Sequence, residues 1–161
     1  MKTLITLLII TCALCVSAGQ YMLTNITEMD GDTIRANVHL GFGIMLQNTS
    51  VRLGGIDTPE IHTKNLLEKE AGKLVTALLM EKIKNATELI LITNDKKECG
   101  KFGRPMGIIL LDGRDVNKVL VSMKCAKDYH GERKKKWTDK ELNYIIELLV
   151  KYKINKCRKS I

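Results

Sequence analysis

Ile34, Ala36, Val38 and Leu40 alternate with polar residues immediately after the turn sequence Asp30-Gly31-Asp32. Period-two alternation marks a strand with one face in a core, and the glycine-centred acidic turn makes it the second arm of a hairpin whose first arm is residues 21–29. A sheet must therefore organise the domain, and the remaining sequence supplies three further short strands. After a Gly-containing loop at 41–49, residues 51–56 read as a third strand that Pro59 terminates. Residues 88–93 and 106–111 read as two more, followed by a turn at Asp112-Gly113. Between the third and fourth strands, Leu67, Ala71, Leu74, Val75, Leu78 and Leu79 form the apolar stripe of a helix over 66–84. A short helix is expected at 115–124. Thr138-Asp139-Lys140-Glu141 fits a capping box that opens a last helix with Leu142, Ile145, Ile146, Leu149 and Val150 on its core face. These elements predict an α+β, mainly β domain, a small five-stranded barrel with about three packed helices.

A chain of 161 residues with 45% apolar content fits one compact domain and excludes a disordered tail, collagen or a coiled coil. The fold is expected over residues 19–161. Ahead of it, Lys2 and the uncharged run Leu4–Val16, ending in Val16-Ser17-Ala18, read as a secretory signal peptide over residues 1–18. An uncleaved membrane anchor is the competing reading, since no charge recurs until Glu28. Cleavage leaves Cys99, Cys125 and Cys157. That odd count argues against a disulfide framework, and no C-x-x-C pair suggests zinc. Cys125 reads as a core residue, while pairing of Cys99 with Cys157 stays open. Three sequons, at Asn25, Asn48 and Asn85, become glycosylation acceptors only in a eukaryotic secretory pathway.

The charge is unevenly spread. Twelve of the 26 Lys and Arg, but only five of the 18 Asp and Glu, lie from Lys124 onward. The cationic field thus belongs to the C-terminal third and peaks at Arg133-Lys134-Lys135-Lys136. Such a run either attracts a polyanion or forms a solvated turn before a helix. With 4% aromatic residues, a reader built on stacked aromatics is disfavoured.

Four acids are candidates to converge: Asp30 and Asp32 at the hairpin turn, and Asp57 and Glu60 around the end of the third strand. Carboxylates with a backbone carbonyl such as that of Thr58 are hard oxygen ligands suited to calcium or magnesium. Arg52 and Arg104 carry planar, permanently charged forks that match a phosphate. A metal, two arginines and a carboxylate base would suffice for phosphodiester cleavage. Strict alternation from Arg52, however, puts Asp57 on the opposite strand face, unless Gly54 and Gly55 permit a bend.

Asp30-Gly-Asp-Thr33, the run RLGGIDTPE at 52–60, KFGR at 101–104 and DGRDVN at 112–117 together resemble the staphylococcal (micrococcal) nuclease family, in order and in register. The resemblance covers most of residues 21–127. It implies an OB-fold barrel and a calcium-dependent nuclease that cuts DNA and RNA, leaving 3'-phosphate ends. By matching positions, Asp32, Asp57 and the Thr58 carbonyl are expected as calcium ligands, and Glu60 as general base or water-positioning acid. Arg52 and Arg104 are expected as the phosphate pair. Lys101 and Phe102 resemble the nucleotide-contacting loop, with Tyr129 as a stacking partner. Departures are an enlarged loop near 41–49, Gly100 where the best-known member has an acid, and Lys124 where it has a helix-ending glycine. His62 reads as a solvated loop residue.

The reading is a secreted, monomeric, calcium-dependent endonuclease of low sequence specificity, acting on DNA and RNA and without stable membrane association once the signal is removed. A calcium site of modest affinity fills in the extracellular medium and stays largely empty in a cytosol, so signal, metal and activity support one another. A noncatalytic OB-fold module that binds nucleic acid or another polyanion is the alternative; binding alone would not require the complete acid and arginine set.

Overall fold

A computed structural model describes residues 19–93 and 104–159, and for 157–159 the backbone alone. The expected signal segment, Cys99, Lys101, Phe102 and the Cys157 side chain lie outside the described residues. Among the described residues, eight strands and three helices follow in the order β1 (Gly19–Asp30), β2 (Thr33–Gly41), β3 (Ile44–Leu53), β4 (Ile56–Asp57), α1 (Leu66–Asn85), β5 (Leu89–Thr93), β6 (Met106–Leu111), β7 (Arg114–Asp115), α2 (Val116–Ser122), β8 (Lys127–Asp128) and α3 (Asp139–Lys159).

The main sheet runs β3-β2-β1-β5-β6-β7, and β3 pairs back onto β6 in parallel, through Arg52 with Met106 and Leu53 with Gly107. That last pairing closes the five long strands into the expected OB-fold barrel. Ile34, Ala36, Val38, Val51, Leu53, Leu91 and Ile109 fill its interior, so the alternation in β2 holds as far as Val38. Leu40 and the tip beyond it are exposed. On α1, Ala71, Val75, Leu78 and Leu79 are buried as expected, joined by Gly72, Thr76 and Ile83, while Leu67 and Leu74 are partly covered. Asn65 caps α1 by accepting from the Leu67 and Glu68 N–H groups at 3.0 and 3.2 Å.

Two strand expectations need correction. The loop over 41–49 is instead a tight turn at Phe42-Gly43, after which β3 begins at Ile44. Gly41, Phe42 and Gly43 all take positive φ, 94°, 51° and 75°, which reverses the chain in few residues and lets the ladder resume. The third strand, expected as one run over 51–56, is broken by a turn at Gly54-Gly55 into β3 and β4. Gly55 has φ of 78°.

The last helix starts at the expected capping box: the Thr138 N–H donates to Glu141 Oε2 at 2.8 Å and the Glu141 N–H donates to Thr138 Oγ1 at 3.3 Å. Leu142, Ile145 and Leu149 are buried and Ile146 is partly buried. Val150 is exposed, contrary to the expected stripe, because it lies at the flank of the face centred on Leu142, Ile145 and Leu149, while α3 still meets Glu81 of α1 farther on through Tyr152. The short helix expected at 115–124 spans 116–122 and ends in a Schellman motif: the Cys125 N–H donates to Leu120 O at 2.9 Å and the Lys124 N–H to Val121 O at 2.8 Å. Lys124 takes φ of 58° there, so it keeps the left-handed conformation that glycine favours. Cys125 is a fully buried free thiol, as expected, and burial pushes it up to about 11.

Candidate active site

The site lies where the β1–β2 turn, the end of β3, β4 with its following segment, and the start of β6 come together. Backbone bonds fix this meeting: Leu53 N–H donates to Asp32 O at 2.8 Å, and Arg52 N–H to Pro105 O at 2.9 Å. Asn117, from the DGRDVN run, is buried and ties the turn down by donating from Nδ2 to Gly54 O at 2.7 Å, while its Oδ1 accepts from the Ile109 N–H at 3.3 Å. Two close approaches are possible only because side chains are absent. A Cβ on Gly31 would stand 2.7 Å from Thr58 Oγ1, and one on Gly72 would stand 2.6 Å from Pro59 O. The first sets the hairpin turn against Thr58; the second seats the Pro59-Glu60 segment on α1.

The turn at Gly54-Gly55 resets the phase of the chain, which resolves the conflict between strand alternation and the position of Asp57. Arg52 consequently reaches both buried aspartates. Its Nη1 is ion-paired with Asp32 Oδ1, its Nη2 lies 3.9 Å from Asp57 Oδ1, and Nη2 donates to Ile56 O at 3.3 Å. Asp32 also accepts from Thr33 Oγ1 at 3.1 Å and from the Thr58 N–H at 3.3 Å. Burial pushes the Asp32 carboxyl up to about 7; the Arg52 guanidinium opposes that rise and the nearby Asp30 charge adds to it.

The four acids do not form one cluster. Asp30 Oδ1 is taken up by the Asp32 N–H at 3.2 Å, and Glu60 Oε1 accepts from Lys134 Nζ at 2.8 Å. Among the described residues no group of three or more His, Cys, Asp or Glu is placed to hold a metal ion. What remains as hard-oxygen ligands is the pair Asp32 and Asp57, with Thr58 buried beside them. Asp57 Oδ1 is buried between two cations, Lys134 Nζ at 2.6 Å and Arg52 Nη2 at 3.9 Å. Two adjacent buried carboxylates with Thr58 beside them are the hard-oxygen donor chemistry that would suit a calcium ion.

The structure brings Arg52, Asp32, Asp57 and Thr58 into direct contact or adjacency, with Glu60 next to them. Arg104 precedes Pro105, whose carbonyl bonds to Arg52, and its own Nε is buried without a partner among the described residues. Tyr129 is half-buried, and its N–H donates to Gly55 O at 2.9 Å, which holds it beside the turn leading to Asp57. β4 and β8 pair Asp57 with Lys127 just before it. His62 is exposed, as expected.

Lys134 is a residue of the site that the sequence did not single out. Its Nζ lies 2.6 Å from Asp57 Oδ1 as well as 2.8 Å from Glu60 Oε1. Desolvation acts to lower its pKa, but the two carboxylates outweigh that and raise it, so it is a charged ammonium at any working pH. The run Arg133–Lys136 was the available signal, though nothing in the run distinguishes Lys134 from its neighbours. Glu68 is a second omission: its Oε1 accepts from the Glu60 N–H at 3.4 Å and its Oε2 from Thr63 Oγ1 at 3.2 Å, steadying the segment that carries Glu60.

The family model described as staphylococcal nuclease homologue matches residues 50–153, more than half of the chain. The chain belongs to the staphylococcal nuclease family. Of the residues discussed, Arg52, Asp57, Thr58, Glu60, Arg104, Tyr129 and Lys134 fall inside the match, whereas Asp32 precedes it and is joined to the rest by the contacts given above. Family membership and the closed barrel together make this a nuclease-like OB-fold domain with a function in nucleic-acid chemistry.

Proposed function

We propose that the chain is a calcium-dependent endonuclease that hydrolyses DNA and RNA with little sequence specificity and leaves 3'-phosphate ends. The observation that carries this reading is the buried pair Asp32 and Asp57, spanned by Arg52 and flanked by Glu60. Two aspartates buried side by side, with two cations drawn in to offset them, are a hard-oxygen donor set that a barrel of this kind does not need for its packing. Asp32, Asp57 and the Thr58 carbonyl would hold the metal, which when bound supplies Lewis-acid stabilisation of the phosphate and lowers the pKa of a coordinated water.

The chain's own residues divide the remaining work. Glu60, nearly half exposed on a segment braced by Glu68, is the carboxylate proposed to accept a proton from, or orient, the attacking water. Arg52 and Arg104 neutralise the charge that grows on the phosphate as the phosphorus becomes pentacovalent. Tyr129 offers a ring face to a base, and the loop holding Lys101 and Phe102 is proposed to contact the nucleotide. The basic C-terminal third draws in the substrate mainly through its phosphates, which accounts for low sequence specificity. We further propose secretion after removal of residues 1–18, and a monomeric working form. No described helix is long and apolar enough to cross a membrane.

The test is degradation of single-stranded and duplex DNA by the protein in millimolar calcium, then with a chelator, alongside Glu60→Gln and Arg104→Ala. Calcium-dependent cutting that both substitutions suppress by about 10²-fold or more, with DNA binding retained by Glu60→Gln, is the expected result. DNA binding without cutting by the folded, calcium-loaded protein would favour the noncatalytic module. The engagement of Lys134 with the acids is the observation that supports this second reading.

A further inference from the structure

Between β8 and α3, residues 129–138 cross the mouth of the acid site without regular secondary structure. With Asp57, Thr58 and Glu60, the side chains of Lys134, Lys135 and Trp137 line a cleft of about 320 Å³. The segment is pinned at both ends. Tyr129 bonds to Gly55 at one end, and at the other Lys127 Nζ donates to Lys136 O at 3.1 Å while standing 4.2 Å over the Trp137 ring. Between these pins, the Lys134 side chain is 44% exposed and is held at the site by its two carboxylate partners. No helix or ladder bond has to break for that ammonium to leave.

We propose that Lys134 is a tethered counter-cation which competes with the divalent metal for Asp57 and thereby sets the calcium concentration at which the site fills. This inference rests on the metal reading given under Proposed function. Its physical basis is the sharing of one oxygen: Asp57 Oδ1, which a cation at the buried pair would use, stands 2.6 Å from the Lys134 ammonium. A divalent ion bound to Asp57 would face a like charge at close range, and the repulsion is relieved when the ammonium withdraws to solvent. Without metal, the ammonium offsets the cost of holding two aspartates below the surface. It also occupies Glu60, so the proposed base is engaged until the site is loaded. The same run that reads as a polyanion attractant in sequence thus contains one member with a different role.

The experiment is calorimetric titration of calcium chloride into the metal-free full chain, for wild type, Lys134→Met, Lys134→Arg and Lys135→Met, with folding checked by circular dichroism. Because the ammonium is partly exposed and screened, its removal is expected to tighten calcium binding by roughly fivefold. Lys135→Met, an equal change in net charge, is expected to alter affinity by less than about twofold, and Lys134→Arg to resemble wild type. Trp137, the single tryptophan, supplies an independent readout. Its emission is expected to change with calcium in wild type and to change less in Lys134→Met, where the tether is already absent. Calcium binding in wild type that Lys134→Met fails to tighten would overturn the inference and leave the metal reading intact, as would equal tightening by Lys134→Met and Lys135→Met. Failure of every variant, wild type included, to bind calcium would refute the metal reading and the inference with it.

Discussion

Replacing Gly72 by alanine sets a local preference against a tertiary contact. Gly72 lies inside α1, where alanine is favoured over glycine by about 1 kcal/mol on helix propensity. The new methyl carbon, however, would stand 2.6 Å from Pro59 O and 3.0 and 3.1 Å from the Glu60 backbone C and O. These are backbone atoms of a braced segment, so relief requires α1 and the 59–60 segment to move apart. Overpacking of this kind costs about 1–3 kcal/mol, leaving a net destabilisation of about 1 kcal/mol after the helix gain. For a domain of this size that corresponds to a Tm lower by roughly 3–4 °C. The larger effect is expected on catalysis, because the displaced segment carries Glu60, and a shift of about 1 Å in a reacting group can cost about 10²-fold. Urea unfolding and initial rates of DNA hydrolysis at saturating calcium measure the two effects separately. A Gly72→Ala protein that is more stable by about 1 kcal/mol and fully active would refute this account, since propensity alone would then govern the position.

Lys124 provides a backbone test. Lys124→Gly and Lys124→Ala both lose the Lys124 ammonium 5.5 Å over the Tyr144 ring, but only glycine relieves the positive φ, so glycine is expected to be more stable than alanine by about 1 kcal/mol in chemical denaturation. Asp112 provides a pH test. Its carboxylate accepts from the Glu88 N–H at 2.9 Å, Thr87 Oγ1 at 2.8 Å and the Thr87 N–H at 3.0 Å, and these bonds hold it below the usual aspartate range. Because the folded-state value is depressed, the stabilisation is present above the unfolded value of about 3.9 and is lost as pH falls through the folded value. The stability advantage of wild type over Asp112→Asn, measured by denaturation across pH, is therefore expected to shrink below about pH 4.

Where local rules suffice, the elements were legible. Thr138 and Glu141 satisfy each other's backbone within one helical turn, and β2 shows its buried face through alternate residues, so both can be read without knowing what they pack against. The segment 41–49 misled because Gly41 and Gly43, which usually mark a loop, here make a turn tight enough for the strand to resume at Ile44. Val150 misled because helical spacing identifies a face but not how wide a stripe of it the neighbouring body covers. For the site, residue types and spacing pointed to Asp32, Arg52, Asp57, Thr58 and Glu60, while alternation alone would have separated Arg52 from Asp57. The Gly54-Gly55 turn decides that case.

The amino-acid sequence by itself determined the strand and helix plan, the acid and arginine set, and the location of positive charge, since each is carried by residue type and near-neighbour spacing. Only the tertiary structure decided which charges meet. Lys134 and Glu60 are 74 residues apart, and Gly72 touches Pro59 only because α1 folds back over the segment that precedes it. Charge pairing and steric fit act over a few ångströms in space, so no local pattern along the chain can specify which distant residues they join.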